Sequence, residues 1–153
     1  QGEALGLMSE YRCAKDCLTP EERNRILSRF HSLLFWVGEH VPDTEELDGR
    51  KVPLRDVVFR FITEQQPSED TVLSAHELAR ALESKARSLE KDLRLQPMER
   101  ETAYRVMHEA LGLLRAVDEL RDLKLEDRNV KARELMTKVS DEKRWLTFLQ
   151  KVR

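Results

Sequence analysis

Two His-Glu pairs are the residues of this chain whose types and order come closest to a catalytic motif. His76-Glu77 and His108-Glu109 each repeat the first half of His-Glu-x-x-His, in which two histidines on one helical face hold a zinc ion. The second histidine is replaced by Arg80 in one pair and by Gly112 in the other. One imidazole cannot clamp a metal ion on a helix, so we predict no metal site and expect both histidines to face solvent.

Cys13 and Cys17 are the only cysteines in the sequence. On a helix their spacing would place both sulfur atoms on one face, as half of a zinc site, but no further cysteine or histidine lies close enough in sequence to complete it. Disulfides are rare in the cytosol. The sequence therefore favours a reduced pair.

The spacing of apolar residues around Asp118 places this carboxylate at the edge of an apolar helical face. A buried carboxylate requires a compensating partner, and Arg115 and Arg55 are the candidates. We predict a buried ion pair among these residues, with a polar enzyme site near Arg55 and Asp118 as the alternative. Because the sequence has no glycine-rich phosphate loop and no nucleophile elbow, it identifies no catalytic residue and no cofactor.

The longest helical pattern covers residues 69–93. Its apolar residues alternate steps of three and four, the heptad spacing of a coiled coil, and Ser68 is a suitable N-cap. Glu77, Arg87 and Lys91 are expected on the opposite, solvent side. The stripe consists of Val72, Ala75, Ala79, Leu82, Ala86, Leu89 and Leu93.

A break at Gln96-Pro97 separates this helix from a second one, in which the proline is expected at the first helical position. The short connection makes the two helices antiparallel neighbours. Gly112 costs about 1 kcal/mol relative to alanine in mid-helix, which predicts a close backbone or aromatic neighbour, with Trp36 as the candidate. The apolar face consists of Ala103, Val106, Met107, Ala110, Leu111, Leu113, Leu114, Val117 and Leu120.

Residues 20–65 are expected to cover the rest of that wide face. Thr19 and Glu22 form a capping box that starts a helix predicted over residues 20–41. Asp48-Gly49 predicts a tight β-hairpin, because both turn positions need a positive φ. A short helix is predicted over residues 54–62, with the apolar residues Leu54, Val57, Val58, Phe61 and Ile62.

Some large apolar residues lie outside these stripes. In the predicted helix over residues 20–41, Phe35 and Trp36 point away from the stripe centred on Phe30. We expect the Trp36 side chain to be covered by other residues of its own chain. Together with apolar residues near the C-terminus, these two form a predicted surface for a protein partner or for self-association, made of Phe35, Trp36, Trp145, Phe148 and Leu149.

The C-terminal segment is basic, with eight lysines and arginines against three acidic residues from residue 128 to residue 153. If it binds nucleic acid, the contacts are to phosphates. The candidate residues are Lys138, Lys143, Arg144 and Lys151. The predicted organisation is a loose lead-in over residues 1–18, a helical bundle domain over 19–124 and a basic amphipathic helical tail over 125–153.

The composition favours helices over an all-β fold, with 37% charged residues, five glycines and five prolines. A net charge of −2 is not that of a polycation that binds nucleic acid over its whole surface. No apolar run approaches the ~18 residues of a membrane helix, and no signal peptide is apparent, so we expect a cytoplasmic protein without a membrane partner. The predicted fold class is all-α, a helical bundle built on a long antiparallel helical hairpin, with one small β-hairpin insertion.

Four stretches together resemble a family of small uncharacterised archaeal proteins, over about residues 20–124. They are Phe35-Trp36-Val37-Gly38, Leu47-Asp48-Gly49-Arg50, Leu54-Arg55-Asp56-Val57-Val58 and Leu113-Leu114-Arg115-Ala116-Val117-Asp118-Glu119-Leu120. The resemblance implies no assigned activity, so it assigns no functional residue.

The leading hypothesis from the sequence is a non-enzymatic helical interaction or scaffold protein, because a coiled-coil hairpin is present without recognisable site chemistry. The first alternative is a nucleic-acid-associated protein that uses the basic tail. The second is an enzyme with a polar site near Arg55 and Asp118. A deep polar pocket would favour the enzyme, and a large apolar patch would favour the interaction protein.

Overall fold

The computed structural model describes residues 11–32, 35–36 and 38–123. These residues form four α-helices and a two-stranded antiparallel sheet, so the fold is mostly helical with a small β-hairpin, as predicted. A 3-10 helix over Arg29–His31 follows the first α-helix. The elements are α1 (Pro20–Ser28), β1 (Glu45–Leu47), β2 (Arg50–Val52), α2 (Leu54–Thr63), α3 (Glu69–Leu95) and α4 (Arg100–Arg121).

The core lies between α3 and α4, which pack side by side as the predicted helical hairpin. Every predicted stripe residue on both helices is buried, and Leu82 and Leu113 are fully so. Ser68 caps α3, and its side chain accepts a hydrogen bond from the backbone N–H of Thr71 at 3.1 Å. Glu77 is a correction to the prediction: it is buried instead of solvated, because the first half of α3 also buries residues beside the stripe, including Leu73 and Ser74.

The start of α4 also differs from the prediction. Pro97 is not at its first position, since the helix begins at Arg100 with Glu99 as the N-cap. The preceding residues instead pair with the N-terminal segment: the N–H of Leu18 donates to the carbonyl oxygen of Met98 at 3.0 Å, and the N–H of Arg100 donates to that of Asp16 at 2.8 Å. Because of these long-range backbone hydrogen bonds, α4 begins three residues later than predicted.

The lead-in was expected to be loose on account of its weak patterning, whereas residues 11–18 are tied to this connection. The hydroxyl of Tyr11 donates to Asp92 on α3 at 3.0 Å. Cys13 and Cys17 form a disulfide, with their Cα atoms 5.6 Å apart. The prediction of a reduced pair is therefore wrong, because a bend in the chain brings the two sulfur atoms together.

Helix α1 begins as predicted and ends early. Thr19 and Glu22 form the capping box, each side chain accepting from the other's backbone N–H at 3.1 Å. The helix ends at Ser28, not at residue 41. The Ser28 hydroxyl donates to the carbonyl oxygen of Arg25 at 2.8 Å, a bond that competes with continued helix, and Ser32 is already extended.

The predicted β-hairpin is present, with Asp48 and Gly49 at φ values of 52° and 75°. Its register pairs Glu45 with Val52. In α2 the residues of the predicted apolar set are buried except Ile62, which is 38% exposed, and Phe59, outside that set, is 62% exposed.

No helix among the described residues is long and apolar enough to cross a membrane. The predicted tail over 125–153 lies outside the described residues. Its candidate contacts lie there too, namely Lys138, Lys143, Arg144, Trp145, Phe148, Leu149 and Lys151.

Candidate functional site

The predicted ion pair around Asp118 has different partners in the structure. Arg55 pairs with Asp43 at 2.7 Å and donates to the carbonyl oxygen of Val41 at 3.0 Å. Arg115 pairs with Glu119 at 2.9 Å, one helical turn later. Asp118 is partly buried, but both arginines direct their ion pairs to other carboxylates.

Phe35 and Trp36 lie in different environments. Phe35 is 43% exposed, and the guanidinium of Arg29 lies 5.1 Å from the centre of its ring. Trp36 is partly buried and packs against the core of its own chain. The helical-wheel argument for these two residues fails because α1 ends before them, yet the expectation of cover for Trp36 within the chain agrees with its packing.

Gly112 marks the place where the chain crosses α4 on its way to the hairpin. A Cβ atom at this position would lie 2.5 Å from the carbonyl oxygen of His40 and 3.0 Å from Cδ of Pro42. The predicted close backbone neighbour is therefore confirmed, but it is His40 and not Trp36. The absence of a side chain at Gly112 lets residues 38–42 form one wall of a pocket.

An open pocket of about 880 Å³, lined mostly by polar and charged residues, lies between this crossing, the β-hairpin, α3 and α4. We call it the hairpin pocket. It brings together charged residues from four separate parts of the chain. The most important of them are Glu39, Glu45, Lys85, His108 and Glu109.

Lys85 of α3 ties the hairpin to the helical pair. Its Nζ lies 2.6 Å from Oε2 of Glu45 and donates to the carbonyl oxygen of Glu46 at 2.7 Å. The Glu45 side chain is only 3% exposed. Burying a charge is costly unless it is paired and hydrogen-bonded, so Lys85 is the group that lets a carboxylate occupy this inward strand position.

The carboxyl group of Glu109 lies close to that of Glu45 in this pocket. Burial, followed by hydrogen bonding to Glu45 and the negative charge of Glu45, raises the pKa of Glu109 from 4.5 to about 7, although Lys85 acts in the opposite direction. Two adjacent carboxylates repel each other, so the pair holds a proton in the neutral pH range. The pocket therefore contains a carboxylic acid that can give up or accept a proton near neutral pH.

His108 supplies a second proton-carrying group on the same turn of α4. Its Nδ1 lies 3.0 Å from a carboxylate oxygen of Glu39. A carboxylate that holds one ring nitrogen fixes the orientation of the imidazole and leaves the other nitrogen available. The His108-Glu109 pair thus lies at this pocket, and the expected exposure of His108 is confirmed.

His76, the other predicted solvated histidine, is partly buried. Its Nε2 lies 3.0 Å from the carbonyl oxygen of Leu123. In the part of the chain that the structure describes, no group of three His, Cys, Asp or Glu residues is placed to hold a metal ion. Acid–base chemistry is the chemistry that the hairpin pocket supports by its geometry.

The sequence reasoning missed Glu45 and Lys85 and considered Glu109 only as part of an incomplete zinc motif, although each of the three carried a signal. Residues two apart on a strand face the same side, so Glu45 had to share the inward side of Leu47. Lys85 and Glu109 each precede a buried alanine of a stripe, on helices that were predicted to be neighbours. Their positions at the edges of the facing stripes favoured a polar contact beside the core.

No curated protein and no solved structure matches this chain at a significant level. The model of a family of unknown function, DUF5788, matches residues 18–150. The match covers most of the chain, from the residue before the capping box to a point within the last residues of the basic tail. The resemblance to an uncharacterised family is thereby confirmed, and the chain belongs to the family of unknown function DUF5788.

Proposed function

We propose that this protein binds a small polar molecule in the hairpin pocket and exchanges a proton with it through Glu109. The observation that carries the proposal is the placement of two carboxyl groups, those of Glu45 and Glu109, together with Lys85 in one open pocket. A carboxyl group whose pKa is raised by burial and by a neighbouring carboxylate, and which lies in a pocket, is typical of functional sites, which supports a role in binding or proton transfer.

The division of roles follows from the contacts. Lys85 balances the charge of Glu45, so Glu109 is the group that carries the exchangeable proton. An acid–base group acts best when its pKa lies near the working pH, which is the case for Glu109. His108, oriented by Glu39, is the second group able to accept or donate a proton at the pocket.

The experiment is a ligand-observed NMR screen of the full chain with small amines, carboxylates, sugars and nucleosides. The test variant is Glu109→Gln, which keeps the side chain's size and loses its titration. The matched control is Glu101→Gln, an exposed glutamate on the same helix. We expect one class to bind the parent and the control, at least tenfold weaker binding to Glu109→Gln, and a pH dependence of binding near pH 7 that this variant lacks.

Two outcomes overturn the proposal. One is that no class of compound binds the parent. The other is that Glu109→Gln binds with the parent's affinity and the parent's pH profile.

A protein-interaction role, the leading hypothesis from the sequence, is the second candidate. It is supported by the exposed side chains of Phe59 and Ile62, which lie three residues apart on α2 and are 62% and 38% exposed. Apolar surface of this kind often marks contacts between proteins. The nucleic-acid alternative depends on the tail, outside the described residues, and an archaeal source stays an expectation of the resemblance. The proposed acid–base site is at Glu109 and replaces an enzyme site at Arg55 and Asp118.

A further inference from the structure

A second cavity, of about 430 Å³, lies between α2 and α4. Its apolar wall is made of Val41, Val58, Phe59 and Ile62, and charged side chains also line it, among them Arg55 of α2 and Arg115 and Glu119 of α4. We call it the α2–α4 groove. Phe59 and Ile62 expose apolar surface into it, so an apolar segment placed there would remove that surface from water.

Residues 124–153 leave the described fold next to this groove. Leu123 is held at the end of α4, where its carbonyl oxygen lies 3.0 Å from Nε2 of His76. Glu119 precedes Leu123 by four residues, which is about 6 Å along a helix. The chain beyond Leu123 therefore begins within about one helical turn of the groove, and the residues between Leu123 and Trp145 are more than enough to return to it.

The chemistry of that segment complements the surface. Trp145, Leu149 and Val152 recur at the spacing of one helical face. Residues 128–153 contain eight basic and three acidic residues. At the end of the hairpin where the tail begins, residues 69–76 and 115–122 contain five acidic residues, none of them buried, and two arginines. A positive segment thus starts beside a negative surface.

We propose that residues 140–153 dock on their own chain, with Trp145 and Leu149 in the α2–α4 groove against Phe59 and Ile62. The family match runs from residue 18 to residue 150, so the groove and most of this segment belong to one family unit. A tethered segment meets the groove at an effective concentration in the millimolar range, which favours the chain's own tail over a second copy. This docking is independent of the hairpin pocket.

The test uses the full chain labelled with 5-fluorotryptophan, whose two tryptophans give two fluorine NMR signals. Trp145→Phe identifies the Trp145 signal without changing the described fold. The groove variant is Phe59→Asp. The matched control is Leu95→Asp, because Leu95 has the same 62% exposure and lies at the other end of the hairpin.

We expect Phe59→Asp to move the Trp145 signal toward that of a solvent-exposed tryptophan and to increase its shift between H₂O and D₂O, with Leu95→Asp matching the parent. Ile62→Lys should repeat the effect, and circular dichroism confirms that each variant is folded. A Trp145 signal that is solvent-exposed in the parent, or equal effects of Phe59→Asp and Leu95→Asp, overturns the proposal. A signal that moves on serial dilution also overturns it and identifies a second copy as the occupant.

Discussion

The carboxyl group of Glu109 on α4 lies beside that of Glu45 on the β-hairpin, so two acidic side chains from distant parts of the chain meet in the hairpin pocket. The pairing is held in place by the ion pair between Lys85 and Glu45 and by the close crossing of residues 38–42 over Gly112. The candidate site therefore depends on three long-range contacts, and each can be tested separately.

Replacing Glu109 by glutamine should make the protein more stable above neutral pH. The folded-state pKa of about 7 lies above the ordinary value of 4.5. Between these values the folded state binds more protons than the unfolded state, so the free energy of unfolding falls as the pH rises. Glutamine removes that loss. At about pH 8 we expect a gain on the order of 1 kcal/mol, because water screens the half-exposed carboxyl.

Urea unfolding across the range from about pH 4 to about pH 8.5 measures this effect. Glu101→Gln, on the exposed side of α4, should follow the parent at every pH. A parent and a Glu109→Gln variant that lose stability in parallel as the pH rises would contradict the assignment of the proton to Glu109.

Replacing Lys85 by methionine should be costly, because the carboxylate of Glu45 would remain buried without its cation. We expect a loss of about 3 kcal/mol in the free energy of unfolding. Adding Glu45→Gln to this variant should restore part of the loss, since it removes the uncompensated charge. Lys91→Met, at an exposed position of the same helix, is the control in chemical denaturation. No recovery in the double variant would show that Lys85 acts by packing alone.

Replacing Gly112 by alanine should destabilise the protein although alanine is the better helix former. The gain in helix propensity is about 1 kcal/mol, but the new Cβ would meet the carbonyl oxygen of His40 at 2.5 Å. We expect a net loss of about 2 kcal/mol together with weaker ligand binding, since the pocket wall must move. Gly38→Ala is the control, because its Cβ would meet its nearest atom at 3.9 Å. Equal melting temperatures of the two variants would show that residues 38–42 do not pass close to Gly112.

Replacing Leu82 or Leu113 by alanine should remove packing where the two long helices meet. Both side chains are fully buried, and such truncations cost about 2–5 kcal/mol. Leu95→Ala, at a largely exposed position, should change the free energy of unfolding by about 0.5 kcal/mol at most. Thermal and chemical unfolding measure all three. A Leu82 or Leu113 variant that melts with the parent would remove this interface from the core.

The basic tail gives a separate prediction. If residues 140–153 dock on their own chain, the basic residues of the tail lie near acidic residues of the fold. The full-length protein should then not retard DNA or RNA in a gel-shift assay at physiological salt. Retention that falls steeply with added salt would instead support phosphate contacts by Lys138, Lys143, Arg144 and Lys151. A variant with these four changed to glutamine is the control for that result.

The sequence by itself determined the elements whose causes are local. The heptad stripes determined α3 and most of α4, because burial follows the helical period. Thr19 and Glu22 determined the start of α1 through bonds made within one turn. Asp48-Gly49 determined the hairpin, because few other residues accept a positive φ. Each of these signals lies within a few residues of the structure that it produces.

Only the tertiary structure decided where α1 ends, where α4 begins and which charges meet. Pro97 is a good helix start, yet the chain instead forms backbone hydrogen bonds from Leu18 to Met98 and from Arg100 to Asp16. Glu45, Lys85 and Glu109 are ordinary surface residues by type, and their meeting depends on the register of the hairpin and on a glycine in α4. The sequence shows which side of each element faces inward, whereas contacts between distant segments decide which polar residues share the edge of the core.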